Sequence, residues 1–159
     1  YFLNKRLDEI KDSYSNDLHV LDRSSIEDAL LFKLNADMGR ATETESNIYS
    51  SLLGNMMEEL PEQPHQKAPN LLITIRVSFE TMLERIKKRG RSFEQIANDP
   101  SLYSYYKNLN ERYVQWYEDY NESPKMVIDG DKYDFVEDPA AAKKVLAMID
   151  EKLIELNLK

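Results

Sequence analysis

Apolar residues along this chain change period several times, and the changes mark out helices alternating with strands. Phe2, Leu3, Leu7 and Ile10 recur at helical spacing, with Asn4, Lys5, Asp8, Glu9 and Lys11 mostly on the other side, which predicts a helix over 1 to about 15. Asn16-Asp17 breaks it, and the apolar run 18–21 reads as the end of a buried strand. A helix over about 25–38 follows, opened by the capping-box spacing of Ser24 and Glu27 and closed by Gly39 as a left-handed cap. Thr42 and Glu45 repeat that spacing and open a helix through Ile48, Leu52, Leu53, Met56 and Leu60; Pro61, Pro64 and Pro69 bracket a polar loop.

The run 71–77 is nearly all apolar, as expected of a parallel strand covered on both faces. Ser78 caps a helix carrying Met82, Leu83 and Ile86, and beyond Gly90 a charged loop leads to a long aromatic helix over about 101–120. A third strand spans 125–129, and Asp138-Pro139 opens a last helix through Val145, Leu146, Ile149, Leu153 and Leu156. This alternation predicts an α/β fold with a parallel sheet and right-handed crossovers.

At 159 residues the chain is the size of one domain, without internal repeats or low-complexity tracts. It has no cysteine, which excludes disulfides and thiolate metal sites and suits a reducing, cytoplasmic setting. No apolar run approaches the ~18 residues of a membrane span, so no membrane partner is expected. A net charge of -8 argues against nucleic acid as a partner, because a broad phosphate surface needs many cations to replace its counterions. The chain opens at Tyr1, without methionine and within an amphipathic pattern, and is expected to be the carboxyl-terminal part of a longer protein.

Three groups of residues carry possible chemistry. Asp22-Arg23 follows the first predicted strand, where ligands of open α/β sheets bind, and can hold a hard metal ion and clamp a phosphate; the same pair also fits a plain polar exit from a strand. Arg85, Lys88 and Arg89 share a helical face and Arg91 lies just past Gly90, a set suited to a transferring phosphoryl group; it equally fits a solvated basic face complementing a helix dipole. Asp28, Phe32 and Asn35 share a face on which a carboxylate and a ring could grip a flat heterocycle, or simply serve a cap and a core. The aromatic helix has the spacing of a buried stripe and is read as core, and neither His19 nor His65 has metal-ligand spacing.

The ordered combination of Asp22-Arg23-Ser24, Asp28 and Phe32, and Arg85-x-x-x-Arg89-Gly90-Arg91-x-x-Glu94-Gln95 resembles the deoxynucleoside kinase family. The run Ile128-Asp129-Gly130-Asp131-Lys132-Tyr133-Asp134-Phe135 narrows the resemblance to the bacterial deoxyadenosine/deoxyguanosine kinases of the Gram-positive type, over essentially the whole chain. The resemblance implies a P-loop-kinase-like three-layer α/β/α fold and transfer of the ATP γ-phosphate to the 5′-hydroxyl of a purine deoxynucleoside. In that pattern Asp22 helps hold Mg²⁺, Arg23 lies near the 5′-hydroxyl and the transferred phosphate, Arg6 and Asp28 read the base edge, and Phe32 stacks on the base. Arg85, Arg89 and Arg91 belong to a lid over the ATP phosphates at about 85–97, Glu94 bonds the deoxyribose 3′-hydroxyl, and Asp134 and Phe135 surround the ATP adenine.

One departure is large. The phosphate-binding loop G-x-x-x-x-G-K-[ST] is absent, since Gly39, Gly54, Gly90 and Gly130 cannot form one, and the catalytic glutamate that follows it in the family is absent too. Both are expected in an amino-terminal segment that also supplies sheet strands, so the 159 residues are read as the carboxyl-terminal portion of a single kinase domain, inactive alone. The resemblance also implies a dimer, homodimeric or with a paralogue, using helices between 25 and 60. Two rival readings are a thymidylate-kinase-like nucleoside monophosphate kinase and a non-catalytic subunit paired with an active paralogue.

Overall fold

The computed structural model describes residues 2–14, 19–23, 25–58, 60 and 68–159. They fall into two compact units, Tyr1–Lys67 and Ala68–Lys159.

The first unit holds α1 (Phe2–Ser13), α2 (Ser25–Asp37) and α3 (Glu43–Glu58), with α2 packed on α3. Leu34 on α2 is fully enclosed and Leu60 nearly so, while Leu3 anchors α1. Gly39 takes the left-handed conformation expected after α2, at φ 71°. The second capping box forms as its spacing predicts. Glu45 Oε2 accepts from both the Thr42 amide and hydroxyl at 2.8 Å, and the Glu45 amide donates back to Thr42 Oγ1 at 3.1 Å. The cap at Ser24, the break at Asn16-Asp17 and the loop with Pro61, Pro64 and His65 lie outside the described residues.

The Thr42 bonds hold the Glu45 carboxyl below its ordinary value of 4.5. A depressed folded-state pKa gives stability that is complete above the unfolded value and lost as pH falls through the folded one. Acid titration should therefore fray the start of α3 below about pH 4.5, and Glu45→Gln should abolish that dependence in helix-resolved amide exchange.

The strand expected at the end of the run 18–21 does not form over the described positions 19–21, and Val20 is 91% exposed. A parallel strand exists only where a neighbour completes its hydrogen-bond ladder, and among the described residues only two strands do so.

Those two lie in the second unit. β1 (Leu72–Arg76) pairs in parallel with β2 (Lys125–Asp129), from Leu72 opposite Lys125 to Arg76 opposite Asp129. Around them run α4 (Phe79–Arg89), a short 3₁₀ turn at Ser92–Glu94, α5 (Ser101–Asp119) and α6 (Pro139–Glu155). The α/β class and the parallel pairing are as expected. Full cover of the strands is not: Ile128 is buried, yet Ile75 is 51% exposed and Ile73 and Val127 are also open, because a two-stranded ladder leaves its outer edges and part of its faces to solvent.

Local signals place the helices. Ser78 caps α4 by accepting from the Thr81 amide at 3.2 Å, Gly90 ends it at φ 72°, and Asp138 caps α6 with Pro139 in its first turn. The amino-terminal half of the aromatic helix is core, with Leu102 and Tyr106 packed on Ile86 and flanked by Phe79, Met82, Leu83 and Leu109. At its other end Lys125 Nζ donates to the carbonyls of Tyr117, Glu118 and Tyr120 at 2.5, 3.1 and 2.6 Å, satisfying acceptors that a helix terminus leaves over.

Candidate functional site

In the first unit, α1 and α2 bring together two residues 22 positions apart. Arg6 Nε donates to Asp28 Oδ2 at 2.9 Å, while Arg6 Nη1 donates to Glu9 Oε2 at 2.9 Å and to the Asp22 carbonyl at 2.8 Å. Their side chains are 16% and 9% exposed, so the pair is largely withdrawn from water. Burial alone would lower the Arg6 pKa, but the bonds and charges of Asp28 and Glu9 outweigh it and raise it. The Arg6 guanidinium therefore stays charged beside the carboxylates that hold it. Arg6 Nη2 and Asp28 Oδ1 have no hydrogen bond among the described residues, so the pair keeps one donor and one acceptor unused.

One turn beyond Asp28, Phe32 is half-buried against Tyr49 of α3, ring centroids 4.8 Å apart and planes 11° apart. Asn35, on the same face, turns back to donate to the Leu31 carbonyl at 2.9 Å. Arg6, Glu9, His19, Val20, Leu21 and Asp22 line an open surface depression of about 330 Å³. Asp22 is exposed and its carboxylate has no partner among the described residues. Arg23 beside it is exposed and takes φ 71°, a left-handed backbone that a residue with a Cβ adopts at a cost of about 1–2 kcal/mol.

In the second unit, the basic face splits. Arg85 Nη2 donates to the Gly130 carbonyl at 2.6 Å and Lys88 pairs with Glu137 at 2.8 Å, both reaching the segment after β2. Arg89 turns the other way, to Glu94 Oε2 at 2.8 Å, and Arg91 meets Glu94 Oε1 at 3.4 Å. Positions i+3 and i+4 stand about 100° apart around a helix, enough to send neighbours on one face to different targets. Tyr106 donates to the Glu94 carbonyl at 3.0 Å, and Gln95 Nε2 to the carbonyls of Ile86 and Arg91 at 3.0 and 3.1 Å, fastening this turn to the core.

Gly130 is buried where β2 ends, and a Cβ there would stand 2.6 Å from the Val77 side chain and 3.1 Å from the Arg76 carbonyl. No side chain fits, which is how the loop carrying Asp131 and Asp134 comes so close to β1. Asp131 accepts from the Ser78 amide at 2.9 Å, and Asp134 accepts from the Glu137 amide at 3.4 Å with half-buried Phe135 beside it.

The family model described as Deoxynucleoside kinase matches residues 1–155. The chain belongs to the deoxynucleoside kinase family. It is 56% identical to a deoxyadenosine kinase of Lactobacillus acidophilus over 156 residues, covering 98% of this chain and 72% of that protein. It is 54% identical to a deoxyguanosine kinase of the same organism, over 98% of this chain and 68% of that protein. A deoxyadenosine/deoxycytidine kinase of Bacillus subtilis is 30% identical, over 94% of this chain and 66% of its own length. No solved structure matches.

Against this deoxynucleoside kinase background, some neighbours of the expected residues are new. Glu9 could have been found from its i, i+3 spacing to Arg6, and Gly130 from a glycine directly at a strand end. Tyr49 carries no such signal, because only the packing of α3 on α2 brings it to Phe32. Among the described residues no three acidic or histidine side chains gather around a common point. The exposed Asp22 carboxylate is a single hard oxygen donor, of the kind Mg²⁺ accepts alongside phosphate and water oxygens.

Proposed function

We propose that this protein transfers the γ-phosphate of ATP to the 5′-hydroxyl of a purine deoxynucleoside. The observation that carries the reading is the Arg6–Asp28 pair with its unused donor and acceptor edges. An adenine edge offers an amino donor beside a ring-nitrogen acceptor, and a guanine edge offers a carbonyl acceptor beside an N–H donor. A guanidinium and a carboxylate complement either one, in keeping with relatives named for deoxyadenosine and for deoxyguanosine. Phe32 supplies the apolar face against which the base lies.

In this reading Asp22 is the ligand of Mg²⁺, which when bound offsets negative charge on the phosphates. Arg23 directs its guanidinium to the transferred phosphoryl group, and its strained backbone is consistent with a residue held for chemistry. Arg85, Arg89 and Arg91, in a lid at about 85–97, neutralise the ATP phosphates, whose charge spreads over several oxygens as transfer proceeds. Glu94 accepts from the deoxyribose 3′-hydroxyl, and Asp134 and Phe135 adjoin the ATP adenine. Exposed Ile48 and Leu52, one turn apart on α3, favour a dimer face within 25–60, with a second copy or a paralogue.

A panel assay of the full-length protein tests the reading. With ATP and Mg²⁺, deoxyadenosine or deoxyguanosine should release ADP and yield a monophosphate, whereas a deoxynucleoside monophosphate should not be a substrate. ADP release with the monophosphate alone, giving a diphosphate, would assign a monophosphate kinase instead.

A further inference from the structure

We propose that Tyr49 is a positioning residue for the base: its ring backs Phe32 and fixes the plane on which the purine lies. The inference rests on the reading of Phe32 as the stacking ring. Tyr49 and Phe32 lie parallel, at 11° and 4.8 Å, whereas Phe79–Tyr103, Tyr105–Tyr106, Tyr113–Trp116 and Trp116–Tyr120 all cross at 52° to 84°. Tilted and edge-on pairs fill a core equally well. A parallel pair does something more: it covers one face of Phe32 with a flat surface and leaves the other face in the orientation that a third ring continues.

Tyr49 also lies within electrostatic reach of Asp28 and Arg6. Its phenol pKa is raised by burial and by the Asp28 carboxylate, with the Arg6 guanidinium pulling it down, so it feels both members of the pair. The phenol thus remains protonated at neutral pH. One side chain of α3 therefore stacks on Phe32 and shares the electrostatic surroundings of the Arg6–Asp28 pair. A shift in its ring would tilt Phe32 relative to Asp28, one helical turn away, and spoil the alignment of face and edge on which base binding depends.

Steady-state kinetics of the full-length protein decide the matter, varying a purine deoxynucleoside at saturating ATP. Tyr49→Leu keeps an apolar side chain but removes the parallel ring, and should raise the KM for the deoxynucleoside about three- to tenfold. The KM for ATP and kcat should not change, and Tyr49→Phe should restore the wild-type KM because the stack survives. Phe32→Leu is measured alongside. If Phe32→Leu raises this KM and Tyr49→Leu does not, the positioning role is wrong while the stacking role of Phe32 stands. If neither changes it, the reading of Phe32 falls and takes the proposal with it. A Tyr49→Leu protein in which both KM values, kcat and the unfolding midpoint all deteriorate together would show a structural role and overturn the proposal. Should Tyr49→Leu fail to fold, Tyr49→Met is judged by the same criteria.

Discussion

Replacing Arg23 with alanine is expected to lower kcat about 10³-fold or more while leaving the unfolding midpoint in place. An arginine that neutralises a transferring phosphoryl group acts in the transition state, so its loss appears in turnover. The folded state loses little, because the guanidinium is exposed and has no partner among the described residues. Arg23→Gly sharpens the comparison. Glycine accepts φ 71° freely, so this variant should be as stable as the wild type or more so, by up to about 1 kcal/mol, and still inactive. Stability and activity moving in opposite directions is the signature of strain kept for function. Parallel losses in both would make Arg23 a structural residue.

Arg6→Met should cost both stability and substrate. Asp28 is 9% exposed, and removing its partner leaves a nearly buried carboxylate without compensation, at about 3 kcal/mol. Loss of a charged donor to the base should also raise the KM for purine deoxynucleosides about 100-fold. The two effects separate in Arg6→Met/Asp28→Leu. Two apolar side chains can pack where the ion pair stood, so chemical denaturation should show stability recovered. Deoxynucleoside use should remain lost. Recovery of activity along with stability would mean that the pair only braces α1 against α2.

The parts of this fold legible in the sequence are those decided locally. The Thr42–Glu45 box, the Ser78 cap, the Gly90 terminus and the Asp138-Pro139 start each involve residues within one turn, and each formed as its spacing implied. The run 18–21 looked as much like a strand as 71–77 did, but strands depend on partners that a single run cannot reveal. Side-chain destinations were harder still. Helical spacing put Arg85, Lys88 and Arg89 together, yet the Gly130 carbonyl, Glu137 and Glu94 draw them apart. Arg6 and Asp28 were joined only through the family resemblance, since nothing in either helix's own pattern points to the other. The left-handed backbone at Arg23 had no signal at all, because arginine is not a residue that favours it.

Phosphoryl transfer itself is measured most directly by following the label. The full-length protein, given ATP labelled at the γ-phosphorus, Mg²⁺ and deoxyadenosine or deoxyguanosine, should place the label on the 5′-oxygen of the nucleoside, and Arg23→Ala and Arg6→Met should not at the same substrate concentration. Label that stays on ATP with every deoxynucleoside offered, or that reaches the 5′-oxygen as fast in Arg23→Ala as in the wild type, would contradict the account.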